Sequence, residues 1–360
     1  MSGNNILPVI EILKNNKSIK INIIRFNNLY RYHYSKSFLK NLIILLNHLF
    51  LYFKTLFNLL SSNIIITTHK PLLKTKKNTT IELWHGVPLK AIELMNKHHV
   101  DVENMNKKID YFNTTSNFSK TILNSGFSLS MEKYVVLGQP RNDYLFFKNE
   151  SFKQNFNISN EKILFYLPTF REQCETNYNT FIKNLTFKKF DMQRFNEFLK
   201  KNNLVFFIKP HPSDNHIWKK LLKNEVSNVR IVFKEDLEKN NLELYKVLGQ
   251  SDLLITDYSS VYLDYLLTNK PMIFIPTDLE YYKSFRGLLL EPYNLWTPGP
   301  KVYTQQELER EILKSLNDIT YYAEERKKLK EIFHKYQDNK SSERVAKFIL
   351  KKLKNKNSNT

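Results

Sequence analysis

Short runs of consecutive apolar residues alternate along this chain with longer stretches whose apolar positions recur every three or four residues. The short runs predict strands over 21–26 (INIIRF), 63–68, 80–85, 111–116 and 134–138 in the first half. In the second half they predict strands over 163–168, 204–210, 229–233, 252–256 and 272–276. Runs such as LVFFI (204–208) are apolar on both faces, which suits a parallel sheet covered by helices on both sides. Strands alternating with helical patterns predict an α/β fold made of βαβ units. Two such series predict two Rossmann-like domains, 1–150 and 151–360, joined by the polar segment FFKNESFKQNFNISNEK (146–162). A basic helical stretch from 304 to 353 closes the chain, and no internal repeat is present.

One apolar stretch stands outside this alternation. Residues 38–60, FLKNLIILLNHLFLYFKTLFNLL, are long enough to suggest a membrane span. Lys40, Asn41, Asn47, His48, Lys54, Thr55 and Asn58 nevertheless recur at close to seven-residue spacing, so they gather on one stripe of a helix with a broad apolar face opposite. A helix packed in a core, one lying in a membrane interface and a true span all remain open at this point.

Composition narrows the setting. The 360 residues suffice for two cores, and a formal net charge of +20 predicts an anionic partner: a phosphorylated substrate, nucleic acid or an acidic membrane face. Cys174 is the only cysteine, so no intramolecular disulfide and no thiolate metal cluster can form, which favours a reduced intracellular setting. The first 20 residues lack the pattern of an export signal.

In a doubly wound sheet the ligand sits beyond the carboxyl ends of the strands, and the unusual residues concentrate there. Four of the seven glycines, Gly86, Gly138, Gly287 and Gly299, fall in WHGVPLK, LGQPRND, YKSFRG and TPGPKV, with neither a GxGxxG nor a P-loop. ITDYSSVYLDY places Asp257, Ser259, Ser260 and Asp264 where a strand hands over to a helix; the serines either donate to a phosphate or simply cap the helix. FFIKPHPSD sends Lys209 and His211 out of a strand, suited to a diphosphate or to a satisfied turn histidine. FYLPTFRE offers Arg171 as a bidentate phosphate fork or as a surface partner of Glu172 or Glu175. ELWHGVPLK places His85 at a strand-to-turn junction, either as a general base or as a hydrogen-bonded core histidine.

Taken together and in order, LWHGVPLK, LGQPRND, YLPTFR, IKPHPSD, ITDYSSVYLDYLLTNKPMIFIPTDLEYY and RGLLLEPYNLWTPGPKV resemble the glycerophosphotransferases that use CDP-glycerol to build teichoic acids and related capsular polymers. The resemblance covers residues 80–305 and implies a GT-B architecture, two Rossmann-like domains facing across a cleft. It implies His85 as the acceptor-side base and His211 as a second essential histidine facing the donor. Arg171, Lys209, Ser259 and Ser260 would contact the donor diphosphate. Asp257, Asp264 and Glu280 would bind ribose or glycerol hydroxyls or orient the site, with Gly86 and Arg141 beside the substrates. The implied reaction is attack by an acceptor hydroxyl on the β-phosphorus of CDP-glycerol or CDP-ribitol, releasing CMP. The implied acceptor is a polyol phosphate, glycan or lipid-linked saccharide, and the implied place is the cytoplasmic face of the cell membrane, peripherally bound to its anionic surface. The first 75 residues carry no family motif, and the chain matches the small members, primases included. Asn339 stands where similar proteins tend to have glycine.

Rival classes make different demands. The basic residues are scattered and no helix-turn-helix, RNP or zinc signature accompanies them, so nucleic acid is not expected as a partner. A GT-B glycosyltransferase using a nucleotide sugar would share the fold and break a bond at the anomeric carbon. A non-catalytic membrane adaptor would have no use for both histidines. No DxD-like carboxylate cluster calls for a metal, no cofactor is expected, and magnesium stays open.

Overall fold

The computed structural model describes residues 4–24, 38–69, 71, 73–95, 106–147, 151–169, 187, 190–212, 215, 218 and 226–357. Helices α1 (Ile6–Leu13) and α2 (Phe38–Ser61) precede β1 (Ile64–Thr67), β2 (Thr79–Glu82), β3 (Tyr111–Thr114), α3 (Asn117–Phe127) and β4 (Tyr134–Val136). These strands form a parallel sheet in the order β1-β2-β3-β4. After a 3₁₀ segment, Pro140–Phe146, come β5 (Lys162–Leu167), α4 (Met192–Lys201), β6 (Leu204–Ile208), β7 (Val229–Ile231) and β8 (Leu253–Thr256). Helix α5 (Val261–Tyr265), β9 (Met272–Phe274), α6 (Leu279–Arg286), α7 (Gln305–Asn317), α8 (Ala323–Phe333) and α9 (Ser341–Asn357) complete the chain. The second sheet is also parallel, in the order β7-β6-β5-β8-β9, so the winding reverses between β5 and β8.

Side chains on the central strands divide by parity. Ile163, Phe165, Val205, Phe207, Leu254 and Phe274 enter one buried cluster; Leu164, Tyr166, Phe206, Ile208, Ile255 and Ile273 enter another on the opposite face. Continuous apolar runs are therefore needed to fill both faces, as their sequences predict. The first of these clusters does not stop at the domain seam. It takes in Val87, Leu89, Ile122, Tyr144 and Leu145 from the first half, so one core holds both halves. The seam also carries backbone bonds: Leu289 N–H donates to the Leu89 carbonyl (2.9 Å) and Lys335 N–H to that of Thr115 (2.9 Å).

Helix α9 returns to the first sheet. Its Val345, Ala346 and Ile349 pack with Val9 and Leu13 of α1 against Ile81 of β2 and Leu83 just beyond it. Its start is held by the Asp143 carboxylate, which accepts from the N–H groups of Ser341 (2.9 Å) and Ser342 (2.7 Å).

Two expectations need correction or narrowing. The strand expected over 21–26 does not form: residues 21–24 lie outside any ladder and 25–26 lie outside the described residues. Ile19 and Ile21 instead pack sideways on the α1–α9 cluster, which satisfies their apolar surface without a hydrogen-bonded partner. Helix α2 forms as expected but is not packed in a core, since none of its Asn41–Ser61 span is buried. Its part-covered positions include the polar Asn41, His48, Thr55 and Asn58, whereas Ile43, Leu46, Phe50, Phe53 and Phe57 form an outward stripe.

The tightest approach at the seam lies at Gly249, where an added Cβ would sit 2.2 Å from the Leu145 carbonyl oxygen. Gly249→Ala is expected to force this backbone contact apart and to cost about 1–3 kcal/mol, read as a lower midpoint in denaturant unfolding with an unchanged slope.

Candidate active site

Beyond β2 the chain makes a sharp turn whose central residue, Trp84, has a left-handed backbone (φ +54°). This is costly for a bulky side chain. The turn is held from both sides: Trp84 N–H donates to Glu82 Oε1 (2.7 Å), and the Trp84 carbonyl accepts from Asn5 Nδ2 (2.8 Å). The indole is anchored in a separate cluster of the first half with Phe112, Leu123 and Tyr134, 4.8 Å from Phe127 in an edge-on contact. The next residue, His85, is thereby turned outward, its ring lying 4.0 Å from the indole and 4.9 Å from the His69 ring.

His85 Nδ1 lies 3.2 Å from the Thr68 carbonyl oxygen. A carbonyl only accepts, so this bond requires a proton on Nδ1 and leaves the Nε2 lone pair available. Desolvation of the ring's inner face lowers its pKa towards about 4, and nearby His69, Arg141 and Lys90 push the same way against the Thr68 bond. His85 is an exposed residue, and contact with water moderates that penalty. The direction keeps the imidazole uncharged at neutral pH, as a base needs.

Gly86 brings the turn against the second half. Its φ of +121° is a glycine conformation, and a Cβ there would meet Arg141 Nη2 at 2.6 Å, with Ser260 Oγ at 3.9 Å. Arg141 is buried, and its Nη2 donates to Asp264 Oδ2 (2.7 Å). Asp264, on α5, also accepts from Asn142 Nδ2 (3.0 Å) and from the Tyr245 hydroxyl (2.7 Å). Burial lowers the Arg141 pKa, but Tyr245 and Asp264 outweigh it and the net direction is upward. Gly86, Arg141, Ser260 and Asp264 thus meet at the seam, with Asp264 occupied by protein donors.

At the β5–β8 reversal Asp257 is fully buried. It accepts from Thr169 N–H (3.0 Å), Thr169 Oγ1 (2.5 Å) and its neighbour's N–H at Tyr258 (2.6 Å), tying the two strand ends together. Ser259 and Ser260 are half-buried, and Ser260 occupies the N-cap of α5 without a side-chain capping bond. Lys209 leaves β6 buried and donates to the Pro210 carbonyl (2.9 Å); burial lowers its pKa, while Glu235 and Asp236 pull it back up. His211 follows, exposed. Glu280 stands apart, exposed on α6 and 3.7 Å from Lys283 Nζ. Arg171 lies outside the described residues. Among the described residues no group of three or more His, Cys, Asp or Glu side chains is arranged to hold a metal ion.

Sequence reasoning missed Glu82, Asn5 and Tyr245. Glu82 had a signal, since a carboxylate in the apolar run TIELW must be buried with partners. Asn5 and Tyr245 had none, because their partners lie far away in the chain.

Nitrogen-15 NMR of the histidine rings checks the turn. His85 is expected as the Nδ1–H tautomer, titrating well below the ordinary 6.5. An Nε2–H tautomer, or titration at or above the ordinary value, contradicts the geometry.

Comparison with known proteins gives this arrangement its relatives. The chain is 28% identical over 315 residues to a teichoic acid glycerol-phosphate primase of Bacillus subtilis (strain 168), covering 82% of this chain and 75% of that one. It is 27% identical over 296 residues to a teichoic acid ribitol-phosphate primase of Bacillus spizizenii (strain ATCC 23059 / NRRL B-14472 / W23), covering 77% and 70%. Among solved structures it resembles the wall teichoic acid polymerase TagF, with a TM-score of 0.66 at 23% identity over 81% of this chain and 74% of that one. A UDP-GlcNAc 2-epimerase of Methanocaldococcus jannaschii shares the fold more distantly, with a TM-score of 0.55 at 13% identity over 97% and 96%. These neighbours establish the two-sheet GT-B architecture. The model of the CDP-glycerol:poly(glycerophosphate) glycerophosphotransferases matches residues 13–351, nearly the whole chain, and the protein belongs to that family.

Proposed function

We propose that the protein transfers a polyol phosphate, glycerol phosphate first, from a CDP-activated donor to a hydroxyl of a polyol-phosphate, glycan or lipid-linked acceptor. The observation that carries this reading is His85: an imidazole held uncharged, with Nδ1 tied to a carbonyl and Nε2 left basic, at the turn that meets the second half. His85 Nε2 takes the proton of the acceptor hydroxyl as its oxygen attacks the β-phosphorus. The bond from that phosphorus to the bridging oxygen breaks, and CMP leaves with the electron pair.

The donor side of this reading rests on the exits of β6 and β8. Lys209, whose buried ammonium is disfavoured, would regain a counter-charge from a diphosphate, and His211, Ser259, Ser260 and Arg171 would add donors around it. Asp257 and Asp264 are read as orienting residues, because their oxygens already serve protein donors. Gly86 and Arg141 form the floor between the two substrates. Glu280, on the exposed start of α6, is read as reaching only the rim of the donor site. The first half is read as the acceptor side and the second as the donor side. Ribitol stays a second reading, favoured by the match to a ribitol-phosphate primase.

Helix α2 supports a peripheral site at the cytoplasmic membrane face. Its outermost residues, Phe50, Phe53 and Phe57, are 66%, 63% and 69% exposed. Such a stripe of aromatic rings is unfavourable in water and suited to the acyl boundary. The basic end of α9 lies beside it: Lys356 Nζ donates to the carbonyl of Asn63, just after α2, and Lys347, Lys351 and Lys354 are exposed on the same helix. Those charges suit anionic headgroups.

Purified protein with a membrane-extracted acceptor is expected to release CMP from CDP-glycerol. His85→Ala should lower kcat by ~10²–10⁴, and His211→Ala should also abolish most turnover while both variants stay folded. Turnover of CDP-ribitol alone would rename the donor, and turnover of a UDP-sugar alone would leave the fold and overturn the chemistry. Phe50→Asp with Phe53→Asp is expected to abolish co-sedimentation with phosphatidylglycerol vesicles and to spare CMP release with a water-soluble acceptor; unchanged vesicle binding would remove α2 from the membrane.

A further inference from the structure

The turn that presents His85 hangs on a carboxylate with no assigned part in the chemistry. Glu82 is the last residue of β2, almost wholly buried, and paired across the ladder with Thr67 of β1 and Phe112 of β3. Among the described residues its hydrogen-bond partners are two: the Trp84 N–H on Oε1 (2.7 Å) and the Thr67 hydroxyl on Oε2. The first bond fixes the left-handed residue that turns His85 outward. The second holds the end of β1, whose next residue, Thr68, supplies the carbonyl that sets the His85 tautomer. One carboxyl group therefore bonds to both the turn residue before the base and the strand end that precedes Thr68, beside the Asn5 bond to Trp84 and the Leu83 N–H bond to the Thr67 carbonyl (2.8 Å).

We infer that Glu82 is a positioning residue for the base: as a carboxylate accepting from Trp84 and Thr67 it locks the turn that presents His85, and on taking up a proton it releases that lock. An ionised carboxyl only accepts, which matches two donors facing it. A neutral acid must place a hydrogen on one oxygen. It then turns the Thr67 bond around or gives up the Trp84 bond, and the contacts that remain lose the strength that an ionised acceptor gives them, which loosens the turn. The inference rests on reading His85 as the base.

The environment makes the switch accessible. Burial raises the Glu82 pKa from its ordinary 4.5 to about 7, with the Thr67 hydroxyl and the Trp84 N–H working against that rise. The titratable groups on neighbouring elements are His69 after β1, His85 on the turn, Tyr111 on β3, Tyr134 on β4, and Lys120 on α3, whose Nζ lies over the Tyr134 ring. None of them is a hydrogen-bond partner of the carboxyl, so burial dominates. His85 itself titrates towards about 4, so a loss of activity near neutrality needs another group.

The test compares kcat against pH for the wild type, Glu82→Gln and Glu82→Leu. The wild type should lose kcat on the acid side near 7. Glutamine mimics the neutral acid at every pH, one oxygen accepting and one nitrogen donating, so its kcat near pH 8 should already be lowered about threefold or more, towards that of the acid-side wild type, with no acid limb near 7. Leucine keeps the bulk and no acceptor, and should lower kcat about tenfold or more with the donor KM nearly unchanged. An acid limb that stays near 7 in Glu82→Gln overturns the inference. So does a leucine variant with wild-type kcat.

Two readouts do not depend on turnover. In nitrogen-15 spectra the His85 ring of the wild type should change between pH 8 and pH 6, and that of Glu82→Gln should not; identical behaviour overturns the inference. A carboxyl raised in the folded state stabilises below 4.5 and loses that stabilisation as pH rises through about 7. The wild type should therefore lose thermal stability relative to Glu82→Gln across that window. If neither CDP-glycerol nor CDP-ribitol is turned over, the functional reading fails while the ring spectra still decide the role of Glu82. If Glu82→Leu does not fold, the glutamine variant decides it.

Discussion

The buried Asp264 carboxylate is the constraint on which the rest of the molecule depends. It stands on the helix after β8 and is bonded to Arg141 and Asn142 of the first half and to Tyr245 of the second. A buried ion pair contributes little net stability when its desolvation is counted, but loss of one partner leaves a stranded charge that costs about 3–5 kcal/mol. Such a pair tolerates one geometry and penalises others. Arg141 in turn abuts Gly86, the residue after His85. A single carboxylate thus sets the distance between the turn carrying His85 and the β8 exit carrying the serines.

Asp257 and Asp264 show what that selectivity means for neighbouring residues. Seven positions apart, both are buried acids, one at the exit of β8 and one on the helix that follows, yet the first joins β8 to β5 within a sheet and the second joins two halves. Neither offers an open oxygen where the sequence suggests a ligand-binding acid. The groups left for the proposed donor side are the less conspicuous ones, a lysine, an exposed histidine and two hydroxyls.

Much of the fold was legible because apolar runs with full burial on both faces report themselves in the sequence. The nine strands of the two sheets among the described residues correspond to nine of the ten predicted runs. INIIRF carried the same signal and failed, because β-branched residues can bury themselves sideways against α1 and α9 as well as in a ladder. The return of α9 to the first sheet was not legible, since an amphipathic helix states which face it buries and not against what. The place of His85, at a strand-to-turn junction, was legible from its motif. Its neutral state and tautomer were not, as they depend on Thr68 and on packing by Trp84 and His69. Asn5 was invisible, an amide near the chain start that caps a strained peptide 79 residues away.

The core that runs unbroken from Val87 and Leu145 into the second sheet has a consequence for how substrates enter. Proteins with two Rossmann-like halves often close on their ligands by hinge motion, spending binding energy on the rearrangement. A hinge here would have to shear packed side chains that interlock like a solid. The two halves would instead be fixed against each other during folding, and movement would fall to surface segments. Association would then be limited by entry past those segments, and the turn carrying His85 would be ordered before any ligand arrives.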